Sequence, residues 1–202
     1  MRNSAAQSTR HIAFALLALA LSGLARAEPA ASSWLDAASL DSWNHPGLSL
    51  PAAPQGAKNP DPRCRQLARS PVSDEDRQLQ TQGWDLMGTP TQGAGMRVIG
   101  AASDYDGMCR PRQYQFFVFK GGVFAGTLSP ALMDSRTDGA LNHVSLQGDR
   151  KLKARYARYA ATDPLCCPSR TTTVLFSLGN DPPLVKPLTA TTASNLSSTT
   201  PK

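Results

Sequence analysis

Tyr114-Gln115-Phe116-Phe117-Val118-Phe119-Lys120-Gly121-Gly122-Val123-Phe124-Ala125-Gly126-Thr127-Leu128 is the stretch whose reading decides the fold. Two β-prone runs flank a Gly-Gly pair, and glycines supply the positive φ angles that a two-residue hairpin turn needs. In the first run Phe116 and Val118 fall on one side, Phe117 and Phe119 on the other. A strand that is apolar on both sides belongs inside a sheet covered on both faces. Ser129-Pro130 then ends the pairing, because proline has no amide hydrogen to donate.

Outward from this hairpin the period stays at two. Met96 to Ala102 reads as a strand before it. His143 to Gln147 follows it, with Val144 and Leu146 on one face and Gly148-Asp149 as a turn. Lys151 to Ala160 fits both a helix and a strand, and its neighbours favour the strand. Arg170 to Leu178 sets Val174, Phe176 and Leu178 against Thr171 and Thr173. Upstream, Ser73 is an N-cap with Asp76 three residues on, so Val72 to Gln82 is a short helix stopped by Gly83. The expectation is an α+β, mainly β domain: a short helix followed by an antiparallel sheet of about five strands, without crossover helices and braced by disulfides.

The chain divides into four parts. Residues 1–27 have the form of an export signal: Arg2 and Arg10, an apolar run from Ile12 to Leu24, then Ala25-Arg26-Ala27 before the cut. That run is too short to span a bilayer. Residues 28–62 carry six prolines and read as irregular, with a short helix conceivable over Ser33 to Trp43. Residues 63–179 form the domain. Residues 180–202 are rich in Thr, Ser and Pro and have too little apolar surface to offset chain entropy, so disorder is expected there. The formal charge of +6 falls to +3 once Arg2, Arg10 and Arg26 leave with the signal, a balance that does not point to nucleic acid.

Export makes disulfides the default for Cys64, Cys109, Cys166 and Cys167. Adjacent side chains of an extended segment point to opposite sides. This favours crossed bonds, in which Cys166 and Cys167 each reach one of Cys64 and Cys109; the alternative is a vicinal Cys166–Cys167 bond leaving Cys64 with Cys109. A redox-active pair normally has two intervening residues and a helix N-terminus, both missing here.

Asp104-Tyr105-Asp106-Gly107-Met108-Cys109, the Phe-rich hairpin, and Asp163-Pro164-Leu165-Cys166-Cys167-Pro168-Ser169 together resemble the LppP/LprE lipoprotein family of bacterial envelopes, over roughly residues 98–178. The resemblance implies an exported, usually lipid-anchored protein, and it brings no catalytic residues. One departure stands out. Leu21-Ser22-Gly23 is what precedes a lipid-bearing cysteine, yet Leu24 follows, so a soluble periplasmic or secreted product is expected.

No catalytic, cofactor or metal residues are assigned. There is no Gly-x-Ser-x-Gly elbow, no His-Glu-x-x-His and no phosphate loop. The basic run offers a binding surface instead: Arg150, Lys151, Lys153, Arg155 and Arg158 are the candidates for contact with an anionic partner. The favoured function is a non-enzymatic envelope protein that binds an envelope component or a protein partner, with weak contact to anionic surfaces, no nucleic acid and no stable membrane span. The alternative is a periplasmic hydrolase or thiol-redox enzyme assembled only in the fold, uniting groups such as His143, Asp104 and Asp106, or free thiols.

Overall fold

The computed structural model describes residues 33–56 and 61–195. The expected export signal, with Leu24, and the last seven residues lie outside them. Eight strands form two antiparallel meanders. β1 (Asp85–Gly93), β2 (Met96–Tyr105), β3 (Pro111–Lys120) and β4 (Val123–Thr127) make the first sheet in that order. β5 (Leu141–Leu146), β6 (Lys151–Arg158), β7 (Arg170–Leu178) and β8 (Val185–Ser194) make the second.

The double-sided alternation of β3 does what its residues demand. Val118 joins Val98, Tyr156, Val174 and Phe176 in a core between the sheets, with Phe116 packed against it. Phe117 and Phe119 join Ile99, Leu79, Trp84 and Ala53 in a second core on the opposite face. That second face is covered by α2 (Asp74–Thr81), which starts at the Ser73 cap, where Oγ accepts the Asp76 N–H at 3.2 Å, and ends before Gly83 at φ +87°. The hairpin turn has φ +55° at Gly121 and +79° at Gly122, the two positive angles foreseen. Lys151 onward is a strand, with Leu152, Ala154 and Tyr156 turned inward.

Two strands were not foreseen. β1 contains Gly88 and Pro90 and has one buried residue, Leu86, so no apolar alternation marks it; it pairs through backbone along β2, with an irregular register between Met87 and Thr91. β8 falls in the tail expected to be disordered. Val185 and Pro187 bury its start, and beyond them Thr189, Thr191 and Thr192 pair with β7, the Thr192 hydroxyl meeting that of Thr172 at 2.7 Å. An edge strand needs little apolar area of its own, and β-branched threonines suit the extended backbone.

Over the described residues 33–56 the Pro-rich segment has a 3-10 turn at Trp34–Asp36 and otherwise irregular backbone, yet it is docked on the sheets. Trp34 packs edge-on against Trp43 and Tyr156, and Trp43 against Phe176. Asn44, buried, bridges the edge strands of the two sheets. Its Nδ2 donates to the carbonyls of Thr127 in β4 and Val185 in β8, both at 3.0 Å, and its Oδ1 accepts the Thr127 N–H at 2.9 Å. Gly126 has to be glycine here: its φ is +127°, and a Cβ would lie 2.4 Å from the Asn44 carboxamide. Lys120, at the end of β3, makes a second tie between the sheets: its Nζ donates to Ala94 O in the β1–β2 turn at 2.8 Å and to Asp149 O in the β5–β6 turn at 3.0 Å.

Asn44→Ala should therefore cost roughly 2–4 kcal/mol, since it leaves buried backbone groups of both edges without partners. Urea denaturation measures it, and a loss within experimental error would mean that Asn44 is not the clasp. A second test concerns acid. Burial pushes the Asp76 carboxyl up, but the Arg69 guanidinium (2.6 and 2.7 Å) and the Val72 N–H (2.9 Å) outweigh it and hold the group below its ordinary 3.8. A lowered folded-state value contributes stability that is complete above the unfolded value and is lost as pH falls through the folded one. Asp76→Asn should flatten the fall in melting temperature between about pH 5 and about pH 2.

Candidate functional site

Among the described residues α2, with Leu50 and Ala53, covers the outer face of the first sheet, whereas none covers the outer face of the second. Strand period two selects what it shows: Lys151, Lys153 and Arg155 point outward along β6, spaced by about 7 Å. Their cross-strand neighbours are Ser145 and His143 in β5, and Ser177, Leu175 and Thr173 in β7. β8 continues the rows with Lys186 opposite Ser177, Thr189 opposite Leu175 and Thr191 opposite Thr173. None of these positions is acidic. Lys151, Lys153, Arg155 and Lys186 are exposed, and among the described residues none of them is in an ion pair. Arg150, at the rim, is exposed and lies 3.8 Å from the Asp149 carboxylate.

Arg158, the fifth candidate cation, is a correction. It is 2% exposed and belongs to the interior. Its Nε meets the Asp138 carboxylate at 3.0 Å, one terminal nitrogen meets Asp36 at 2.6 Å and the other meets the Thr172 hydroxyl at 3.1 Å. Burial disfavours its charge, but the bonds to Asp36 and Asp138 prevail and raise its pKa. Arg158 follows the period of β6, on the same inward side as Leu152, Ala154 and Tyr156, and at this end of the strand Ala157 alone departs from the alternation. Period two along Leu152, Ala154 and Tyr156 already puts Arg158 inward, whereas its acidic partners, distant in the chain, leave no mark in the spacing.

The disulfides also depart from the favoured pairing. Cys64, on α1 (Pro62–Arg65), is bonded to Cys109 at 2.06 Å, and Cys166 is bonded to Cys167. Cys64 is buried and faces the turn that follows β2, whereas Cys166 and Cys167 sit exposed in the β6–β7 connection. The first bond closes a 45-residue separation, worth roughly 4 kcal/mol in the chain-entropy model. The second closes no loop beyond its own two residues.

Of the groups an enzyme reading would unite, Asp104 lies at the end of β2 in the first sheet with Asp106 just beyond it, and His143 lies in β5 of the second. His143 stands on the outer face of the second sheet, while Asp106 lies in the β2–β3 turn. There its carboxylate accepts the Arg110 and Met108 amides and pairs with the Arg110 side chain, which together hold its pKa low against desolvation. A cleft of about 300 Å³ lies beside Trp34, Leu40, Asp41, Trp43 and Pro130, and contains none of these groups.

Removing Arg158 and removing Lys153 should differ sharply. Arg158→Met leaves two carboxylates facing each other at the strand end and should cost roughly 2–4 kcal/mol, whereas Lys153→Met should stay within about 0.5 kcal/mol. Chemical denaturation of the two variants reads this directly, and equal losses would contradict the separation between buried and exposed cations.

Among the described residues no helix is long and apolar enough to cross a membrane. No curated protein and no solved structure matches the chain. Residues 91–181, from the end of β1 through β7, match the family model described as LppP/LprE lipoprotein, which associates this part of the chain with the cell envelope.

Proposed function

We propose that this is a non-enzymatic envelope protein that binds an anionic envelope surface through the outer face of its second sheet. One observation carries the reading: Lys151, Lys153, Arg155 and Lys186 stand on an open face whose interleaved positions are Ser, Thr, His and Leu, with no acid to neutralise them. Ammonium and guanidinium groups form charge-assisted hydrogen bonds to phosphate oxygens, and hydroxyl side chains between them add neutral donors. A flat sheet suits a surface better than a small molecule, which would need a concave site. The envelope association of the family model supplies the setting in which phosphate-bearing head groups are abundant.

The test is co-sedimentation of the exported form with vesicles of phosphatidylcholine containing phosphatidylglycerol, against pure phosphatidylcholine. Each basic residue near an anionic surface contributes about 1 kcal/mol, so Lys151→Gln, Lys153→Gln and Arg155→Gln combined should weaken binding on the order of 100-fold. Added salt should weaken the parent in the same direction. Equal binding to both vesicles, or an unaffected triple variant, would sink the proposal.

A further inference from the structure

The two disulfides differ in burial and in the length of chain they close. Cys64–Cys109 is buried at Cys64 and joins segments 45 residues apart. Cys166–Cys167 is exposed on both residues and joins neighbours, so it removes almost no freedom from the unfolded chain. Its loop has other fastenings. Asp163 Oδ2 accepts the amides of Ala160 at 2.7 Å and Ser169 at 2.8 Å, closing the loop at its base. The Cys167 amide donates to Pro164 O at 2.9 Å, the Tyr159 hydroxyl donates to Leu165 O at 3.1 Å, and Asn195 Nδ2 donates to Pro168 O at 2.8 Å. None of these bonds uses a sulfur atom. These bonds hold the base and flanks of the loop independently of the sulfurs, and Leu165 beside them is 63% exposed, an apolar foothold for a partner.

We propose that Cys166–Cys167 is a dithiol–disulfide exchange site whose partner is a protein dithiol, independent of the basic face. A thiolate of the partner attacks one of the two sulfurs; the S–S bond breaks, a mixed disulfide forms, and the other cysteine leaves as a thiolate that takes up a proton. The partner's second thiolate then attacks its own sulfur in the mixed disulfide and releases the remaining cysteine, which is protonated in turn. Two electrons pass to the loop, which ends as two thiols, and the partner ends as a disulfide. Exchange requires an accessible sulfur, and of the two bonds this one has both residues at the surface.

The experiment uses the full chain and dithiothreitol as the probe under native conditions, with timed acid quenching, alkylation and mass mapping. The peptide containing Cys166 and Cys167 should gain two alkyl groups at least tenfold faster than Cys64 and Cys109. The double variant Cys166→Ser, Cys167→Ser should keep the parent's melting temperature, while Cys64→Ser, Cys109→Ser should lower it. A thioredoxin whose second active-site cysteine is serine should be trapped as a mixed disulfide on the parent and not on the Cys166→Ser, Cys167→Ser variant. Simultaneous or later reduction of Cys166–Cys167, its pairing with Cys64 or Cys109, no trapped complex, or unfolding of the Cys166→Ser, Cys167→Ser variant would each overturn the assignment.

Discussion

Burial of β3 on both faces is the constraint on which the rest of the structure depends. Val118, with Phe116 beside it, and Phe117 with Phe119 point to opposite sides, and no single layer satisfies both sets. One side meets the second sheet, and the other meets α2 together with the Leu50–Ala53 stretch. Each large aromatic side chain removed from water is worth roughly 2–3 kcal/mol, so leaving either side open would outweigh much of the stability of a domain this size. The layer order follows, and so does the exposure of the second sheet's outer face. Among the described residues nothing covers that face, and Lys151, Lys153, Arg155 and Lys186 stand exposed on it.

Two meanders stacked in this way leave open edges, and polar side chains close them. Asn44 spans β4 and β8 with three hydrogen bonds, and Lys120 joins the β1–β2 turn to the β5–β6 turn. Arg158 fastens the same irregular segment at a second point, through Asp36. These contacts make residues 33–56 part of the domain although the segment has almost no regular structure. Buried polar groups with complete partners specify one arrangement, because every alternative leaves some of them unpaired.

Chemistry at the surface separates into two places. Cations with no acidic neighbour line the open sheet, while the β6–β7 connection presents a disulfide between adjacent residues. The buried Cys64–Cys109 bond, by contrast, anchors α1 to the turn after β2 and is an internal fastening.

Local alternation along the chain determined the strands that carry large apolar residues, the Gly121-Gly122 hairpin and the Ser73-capped helix, because period and turn chemistry are written in neighbouring residues. It also determined the outward placement of Lys151, Lys153 and Arg155, which follows from the inward placement of Leu152, Ala154 and Tyr156. β1 and β8 were not legible in this way. Their stability comes from backbone pairing with strands already formed, and a composition of Thr, Gly and Pro conceals that. Only the tertiary structure decided that Cys64 pairs with Cys109, that Asn44 clasps two edges, and that Asp36 and Asp138 are the partners of Arg158, whose inward place the period of β6 implies. Each of those depends on which distant residue arrives beside it, and nothing in the local sequence encodes that distance.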